Sequence, residues 1–506
     1  MRPPFRLRRL TATERRVARA FLARERVDLR RGDARDDPAR AGTWPRSRTV
    51  RASVLAELLA TDGDAPGQGP SLQLYGARIV GLLDLRDATI TGELRLAGCA
   101  VEGEIRLVDA TTRSVRLNDC WIRRINATRC AVKGVFSLDS STVSQGVRLD
   151  NAHITGVLRI NNASLRAPDH VSPRARPMSV SGRPEEPLPW GLFAGGLQVE
   201  GGTFLRNSTI QGVRVPGSTL TGGLHLERST LTGVGEQALR GDDMRAGMIS
   251  LEHTTVNGTV RLRGAHIDGT LLFREARISA SDRAVHLSHA RVDQLIFTPA
   301  SVTGRVSFAS SHFGVLYSHP HSYPDVVDLT DTVYVSLRPA WPLRDHLSWV
   351  SRGPHGYRPQ PYQQLAAWYR SNGQDQLARR VRHARVRQWR GTLPLPSRMW
   401  GHLLDALVGN GYRPWMAGAW SALLLAVGTV VFHLVPPTQI DPDHQRTFNP
   451  FIYTLDLLVP VSVFEQRGAW DPTGGTQWLA WVVIAAGWVL ATALIAGATR
   501  TLRPGD

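Results

Sequence analysis

An eleven-residue unit of the form Leu-x-x-small-x-aliphatic-x-Gly recurs along residues 66–340. In the stretch "LDLRDATITGELRLAGCAVEGEIRLVDATT", residues 83–112, the small position returns every eleven residues. We call this position the corner slot; among its occupants are Ala88, Cys99, Ala110, Cys120, Cys130, Ala152, Ala163 and Ala265. Self-similarity at a fixed period is typical of a solenoid, in which each unit buries its apolar side chains only by stacking on its neighbours.

The units consist of short alternating runs of apolar and polar residues that end at Gly, Asn or Asp, which indicates short strands separated by turns. Two units supply four sides, so one coil has about 22 residues, and coils stack about 4.8 Å apart. The sequence therefore predicts a mainly β fold, a right-handed, four-sided parallel β-helix. We expect the corner slot to be small because a crowded interior corner admits only Ala, Ser, Thr, Gly or a thiol.

All three cysteines of the chain, Cys99, Cys120 and Cys130, occupy corner slots. None has a partner at the spacing of a redox or metal motif. A free cysteine in a packed interior behaves as a small apolar residue. We therefore predict reduced, buried thiols, with Cys99 and Cys120 stacked on adjacent coils.

The regions that flank the repeats are predicted to be helical. A capping box, Thr11-x-x-Glu14, begins one helix, and "RTVRASVLAELLA" forms a second before the first coil. The predicted domains are a helical N-terminal cap at 1–65, the β-helix at 66–340 with a Pro-rich loop at 166–190, a basic helical hairpin at 341–413 and a membrane domain at 414–506.

Two apolar segments, 415–435 and 478–497, carry no formal charge, and each is long enough as a helix to cross about 30 Å of hydrocarbon. The chain has a formal net charge of +18, and arginines are concentrated before the first segment, whereas the loop 436–477 is acidic. This distribution predicts a plasma-membrane protein with two spans, an extracytoplasmic loop, and both termini and the β-helix in the cytoplasm. Two buried helices of a soluble domain are the alternative.

The second helix of the hairpin carries Arg379, Arg380, Arg382 and Arg387 beside an apolar face. We predict that these four arginines contact the anionic lipids of the bilayer, and a site for a partner protein is the alternative. Because this basic block lies directly before an apolar segment, a membrane surface is favoured over nucleic acid. Outward arginines of the rod, such as Arg95, Arg106, Arg116 and Arg148, are either a basic strip for an acidic partner or solvated exterior positions.

No catalytic residue and no cofactor site is predicted. The string "GVGEQA" at 233–238 lacks the strand and helix that a dinucleotide site needs. His319 and His321 are weak candidates for metal ligands, and an ordinary exit loop is the alternative. The apolar segment Phe448–Phe464 is either an interfacial helix or a re-entrant pore element.

The segments "RTVRASVLAELLA", "GARIVGLLDLRDATITG", "GYRPWMAGAW" and "FNPFIYTLDLLVPVSVFEQRGAW" carry a resemblance that covers essentially the whole chain. They resemble actinobacterial pentapeptide-repeat-like β-helix membrane proteins commonly labelled "membrane-associated oxidoreductase". The resemblance implies a β-helix with two spans; the label implies redox chemistry, for which no motif is present. We predict a membrane-anchored binding or scaffold surface, with a two-span channel-like or stress-sensing protein second and an enzyme acting on the outer face of the β-helix third.

Overall fold

The computed structural model describes residues 10–60, 71–168, 190–391, 414–440, 447–462 and 464–501. The chain divides into two compact units, Met1–Arg385 and Val386–Asp506. Most of the predicted Pro-rich loop at 166–190 and the end of the predicted hairpin at 392–413 lie outside the described residues.

The first unit is a parallel β-solenoid of about 11 turns, as the repeat predicts. Its first sheet has 18 strands: Val27–Asp28, Leu72–Tyr75, Thr89–Ala97, Thr111–Asn118, Ala131–Val132, Phe136–Ser137, His153–Ile154, Leu158–Arg159, Gln198–Val199, Thr203–Phe204, Thr219–Leu220, Leu224–His225, Arg245–Ala246, Ile249–Ser250, His266–Leu272, Arg291–Phe297, His312–Ser318 and Val333–Arg338. Its second sheet has 16 strands: Thr49–Arg51, Arg78–Val80, Leu83–Asp84, Ala100–Arg106, Trp121–Asn126, Thr142–Val143, Val147–Arg148, Ser164–Leu165, Leu192–Phe193, Thr209–Gln211, Val213–Arg214, Thr230–Arg240, Thr255–Arg261, Arg277–His286, Ser301–Ser307 and Val327–Asp328.

Four ladders of paired inward residues run along the solenoid, one for each side of the coil. Between two successive coils the pairs are Leu94–Val115, Ile90–Thr112, Val101–Ile122 and Ile105–Ile125. The aliphatic members of these pairs are buried, so the interior is one continuous apolar column. Four ladders make the coil four-sided; its right-handedness stays a prediction.

The corner slots form two columns of buried residues. Trp121 N donates to Cys99 O at 2.9 Å, which places the Cys99 and Cys120 slots on adjacent coils, and Ala131 N donates to Ala110 O at 2.8 Å in the other column. Cys99, Cys120 and Cys130 are free and buried, and burial raises the pKa of the Cys130 thiol to about 12. Ala110, Ala152, Ala163 and Ala265 are buried too, whereas Ala88 is only partly buried.

A left-handed residue precedes nearly every corner slot, a rule that the repeat pattern did not predict. Asp87, Asp109 and Asp119 all have φ between 53° and 57°. The chain turns the corner through this conformation, which Gly, Asn and Asp tolerate better than other residues. Two units around Gly195 and Asp242 match the sequence repeat only weakly. There the rule places the slots at Leu197 and Met244, which follow Gly196 and Asp243.

Hydroxyls in the slot tie one coil to the previous one. Ser141 Oγ donates to Leu117 O at 2.6 Å and accepts from Cys120 N at 2.9 Å. Ser208 makes the same two bonds, to Ile160 O and from Ala163 N. A buried hydroxyl with both a donor and an acceptor partner avoids the cost of an unsatisfied polar group.

Helices cover both ends of the solenoid. Before it lie α1 (Ala12–Ala23) and α2 (Ala52–Leu59), with short 3₁₀ helices at Ala34–Asp36, Pro38–Thr43 and Arg46–Arg48. After a further 3₁₀ turn at Pro320–Ser322 come α3 (Leu343–Val350), α4 (Pro359–Ser371) and α5 (Asp375–Gly391). The capping box predicted at Thr11 and Glu14 is present at the start of α1.

The second unit contains α6 (Pro414–Leu434), α7 (Pro450–Leu458), α8 (Gln466–Ala469) and α9 (Gly475–Thr501), with a two-stranded antiparallel sheet of Thr438–Gln439 and Trp470–Asp471. Among the residues that the structure describes, no helix combines the length and the apolar character that crossing a membrane requires. The structure therefore gives no support to the two spans predicted at 415–435 and 478–497, although α6 and α9 occupy these segments.

The predicted apolar segment Phe448–Phe464 contains α7, which packs closely on its two neighbours. A Cβ added at Gly428 of α6 would lie 2.3 Å from Thr454 Cγ2, and one at Gly487 of α9 would lie 2.0 Å from Leu458 O. Only glycine permits these approaches. The loop after α7 is held by buried Asp456, which accepts from Ser462 Oγ at 2.7 Å and Arg467 N at 2.9 Å.

Candidate binding surface

One outward position of the second sheet carries arginines on several successive coils. On six successive coils its paired occupants are Arg148, Phe193, Arg214, Arg240, Arg261 and His286. We call Arg148, Arg214, Arg240 and Arg261 the arginine file. Their side chains are half-buried, so these guanidinium groups have lost part of their hydration.

The first two members of the file enclose an aromatic ring and lie close to one carboxylate. The guanidinium carbons of Arg148 and Arg214 lie 4.9 and 4.4 Å from the centre of the Phe193 ring. Asp150 accepts from Arg148 Nε at 2.6 Å and from Gly195 N at 2.9 Å. Burial raises the pKa of Asp150, while Arg148 and Arg214 oppose this shift. Two guanidinium groups thus lie beside a single carboxyl group in this part of the file.

The other two members share a second carboxylate across one coil step. Asp242 accepts from Arg240 Nε and from Arg261 Nε, each at 2.8 Å, and its side chain is only 11% exposed. Carboxylates shared in this way offset the repulsion between like charges on neighbouring coils. In this second group two guanidinium groups therefore share one carboxylate.

His286 follows Arg261 on the same outward line as a neutral side chain. Burial, together with the charges of Arg283 and Arg261, lowers its pKa to about 4. At neutral pH the imidazole is therefore uncharged and adds no charge to this line.

Two extra segments border the file at the corner of the second sheet. The register shifts between Thr232 and Gln237 in one strand and between Ser279 and Val285 in a later one. Ser281 Oγ donates to Glu236 Oε1 at 3.4 Å, which joins the two segments into a ridge of exposed residues. The ridge carries Glu236 and Asp282, and Asp282 pairs with Arg305 and Arg283.

The outward arginines proposed from sequence do not form one strip. Arg95 and Arg116 are neighbours on the first sheet, and Arg116 Nε pairs with Glu93 at 2.6 Å. Arg106 lies on the second sheet, two coils before Arg148, and pairs with Glu104 at 2.9 Å. Of the four, only Arg148 belongs to the file.

The other residues singled out from sequence lie away from the file. His319 and His321 are exposed, and the part of the chain that the structure describes has no group of three or more His, Cys, Asp and Glu placed to hold a metal ion. On α5, Arg379, Arg380, Arg382 and Arg387 are exposed, while Ala378 and Val381 are buried.

A signal for the file is present in the sequence once the units are aligned on their corner slots. Arg148, Arg240 and Arg261 stand four residues before the slots at Ala152, Met244 and Ala265. Asp150 and Asp242 stand two before theirs, so the pattern Arg-x-Asp marks these carboxylates. Comparisons with known proteins add nothing further: no protein-family profile, curated protein or solved structure matches this chain.

Proposed function

We propose that this protein is a binding or scaffold protein whose solenoid presents the arginine file to an anionic partner. The observation that carries the proposal is the alignment of four half-buried arginines along one side of the coil, three of them bonded to the carboxylates of Asp150 and Asp242. Guanidinium groups recognise carboxylates and phosphates through paired hydrogen bonds, more strongly where water is partly excluded. A line of such groups suits a partner that extends along the solenoid.

The test measures binding of acidic polymers to the full chain in detergent. The probes are poly-glutamate and polygalacturonate, with neutral polyglutamine as the reference. A variant with Arg240→Gln, Asp242→Asn and Arg261→Gln removes one group of the file without leaving Asp242 charged and unpaired. A matched control with Arg245→Gln, Asp268→Asn and Arg291→Gln makes the same change among exposed residues of the first sheet.

Binding that the file variant loses and the control retains supports the proposal. Added salt is expected to weaken this binding, because exposed charges are screened within about 8 Å at physiological ionic strength. Acidic probes that bind both variants equally, or bind neither variant nor the unaltered chain, contradict the proposal.

The proposal includes attachment to a membrane through the second unit. Its support is the large apolar side chains that α6 and α9 expose, among them Leu423 at 50%, Val430 at 57% and Trp478 at 69%. Exposed apolar faces of this size mark a contact with lipid or protein. The exposed arginines of α5 supply the attraction to anionic lipid that the sequence analysis expects.

Vesicle flotation tests this attachment and its electrostatic part. Replacing Arg379, Arg380, Arg382 and Arg387 with Gln is expected to weaken binding to vesicles with anionic lipid, at about 1 kcal/mol per charge near the surface. The control replaces four exposed arginines of the solenoid, namely Arg245, Arg263, Arg277 and Arg291. An equal loss of vesicle binding in both variants contradicts a specific role for α5.

Labelling in intact cells tests the predicted orientation. A cysteine introduced at exposed Thr473 should react with an impermeant reagent from outside, and one at exposed Thr219 should not. Extraction of the protein by alkaline carbonate, with neither site labelled, contradicts the two spans.

A channel-like function is the second candidate, and the packing of α7 favours it. A short helix held between two longer ones by glycine contacts is the arrangement that a re-entrant element needs. Ion flux in vesicles tests it. A Gly487→Leu variant should abolish ion flux because the larger side chain displaces α7. Absence of ion flux through the unaltered chain contradicts the channel-like function.

A further inference from the structure

The spacing of the arginine file restricts the shape of an anionic partner. We infer that the partner presents an acidic α-helix that lies along the solenoid axis, with one carboxylate per helical turn facing the file. This inference rests on the proposed function and names the chemistry of its partner. The file begins at Arg148 and ends at Arg261, four coil steps later.

The repeat distance of the coils favours a helix over an extended chain. Adjacent coils are about 4.8 Å apart, so the file extends for about 19 Å. An α-helix presents the same face every turn, about 5.4 Å, a mismatch of about 0.6 Å per coil that the long arginine side chains absorb. An extended peptide presents the same face every ~6.7 Å, and its mismatch of about 1.9 Å per coil grows to about 7.6 Å along the file.

The charges of the file act on such a helix. Its four arginines attract carboxylates, and Asp150 and Asp242 hold three of them in place. On the ridge, Asp282 pairs with Arg305 and Arg283, so the attraction along the file alone sets the register and the affinity of a partner.

The experiment compares acidic probes of different shape on the full chain in detergent. The first probe is a stapled helical peptide of about 20 residues, long enough for about 30 Å, with Glu on one face at successive turns. The second has the same composition with Glu distributed around the helix. The third is an extended peptide of alternating Glu and Thr, and the fourth is polygalacturonate.

The one-faced helix is expected to bind at least about tenfold more tightly than the other three probes. The Arg240→Gln, Asp242→Asn, Arg261→Gln variant should reduce its affinity about tenfold, and the matched variant of the first sheet should not. A single Arg214→Gln substitution, which leaves both aspartates with an arginine partner, should reduce it by a smaller factor. Hydrogen exchange of the coils verifies that each variant remains folded.

The outcomes separate the inference from the proposed function. Equal binding of all four acidic probes through the file contradicts the helix and leaves the proposed function standing. Tighter file-dependent binding of polygalacturonate or of the extended peptide assigns a different partner and contradicts the inference. If no acidic probe binds through the file, both fail.

Discussion

The two ends of the solenoid are closed by different kinds of interaction. At the first end, buried Glu14 accepts from Arg51 Nε at 2.8 Å and Arg51 Nη2 at 2.7 Å, and buried Arg48 pairs with Asp36 at 2.7 Å. At the last end, the closing residues are aromatic. The rings of Trp341 and His346 stack with their centres 5.0 Å apart. An end coil exposes apolar interior to water, which buried side chains such as Phe21 and Leu55 cover at the first end and Trp349 covers at the last.

The last end also closes a strand edge with side chains. Gln360 Nε2 donates to Thr332 O at 3.1 Å and Gln364 Nε2 to Tyr334 O at 2.9 Å. These bonds occupy carbonyl groups that would otherwise pair with another chain. Beside them, the buried Tyr334 hydroxyl, His346 Nε2 and Trp349 Nε1 have no partner among the described residues. The first end therefore depends on ionised pairs, and the last end on ring packing and on neutral groups.

The largest effect is expected from removing an aromatic ring at the last end. Trp349 is 1% exposed, and Trp349→Ala should lower the free energy of unfolding by about 3–5 kcal/mol through lost burial and a cavity. Hydrogen exchange of peptides from the last strand, Val333–Arg338, measures this loss of stability. Val335→Ala, at a residue 74% exposed, is the control and should change stability by less than about 0.5 kcal/mol. Faster exchange spread evenly over all coils would contradict a role confined to the end.

The last end should lose stability on mild acidification. Burial lowers the pKa of His346 from 6.5 to about 4, so the unfolded chain binds a proton that the folded chain excludes between these values. The free energy of unfolding should therefore fall as the pH drops from about 6.5 to about 4, by about 2–3 kcal/mol.

His346→Phe should flatten this part of the pH profile of hydrogen exchange at the last end. His286 also has a lowered pKa of about 4, so His286→Gln serves as the control for its share. A profile in His346→Phe that equals that of the unaltered chain contradicts the assignment.

The first end should lose stability only in stronger acid. Bonds from Arg51 and Thr11 lower the pKa of Glu14 to about 2 although burial opposes this shift. The stabilisation is present above about pH 4.5 and is lost as the pH falls toward 2. Glu14→Gln should cost about 1–2 kcal/mol at neutral pH, a moderate value because Arg51 is half exposed.

This cost should vanish near pH 2, where Glu14 of the unaltered chain is itself becoming protonated. Exposed Glu25→Gln is the matched control. A cost that is the same at both pH values contradicts an electrostatic closure of the first end.

The smallest effect concerns the capping box of α1. Thr11→Ala removes the hydroxyl that accepts from Glu14 N at 3.2 Å and should cost about 1 kcal/mol. Exposed Ser53→Ala in α2, a helix without a side-chain cap, is the control. Hydrogen exchange in the first turn of α1 measures the loss of stability that each substitution causes. Equal losses from the two substitutions would contradict a stabilising role of the Thr11 cap.

Much of the fold could be predicted because its signals are local or periodic. The eleven-residue period fixes the solenoid, and the Thr11–Glu14 pattern fixes the start of α1. The closure of the last end could not be predicted, because Trp341, Trp349 and Tyr369 come from separate elements that meet only when the chain folds back. The turn at Asn372-Gly373 between α4 and α5 was predictable, while α3 was not.

The alignment of the arginine file could not be predicted from the sequence either. Arg148 and Arg240 were visible in the sequence as repeat positions, but their alignment depends on how many residues separate successive coils. Asp150 and Gly195, 45 residues apart in the chain, are bonded across a single coil step, about twice the number of residues in an ordinary coil. The pattern of the units cannot reveal how an insertion is accommodated.

The sequence by itself determined the coil, its apolar interior and the small residues of its corners, because a stacked repeat must satisfy the same steric conditions at every turn. It determined the thiols in the same way, since Cys99, Cys120 and Cys130 fill those corners. Only the tertiary structure decided which outward side chains share a line. Insertions between coils change the distance along the chain but not the distance between coils, and the register of the sheets brings Phe193 beside Arg148.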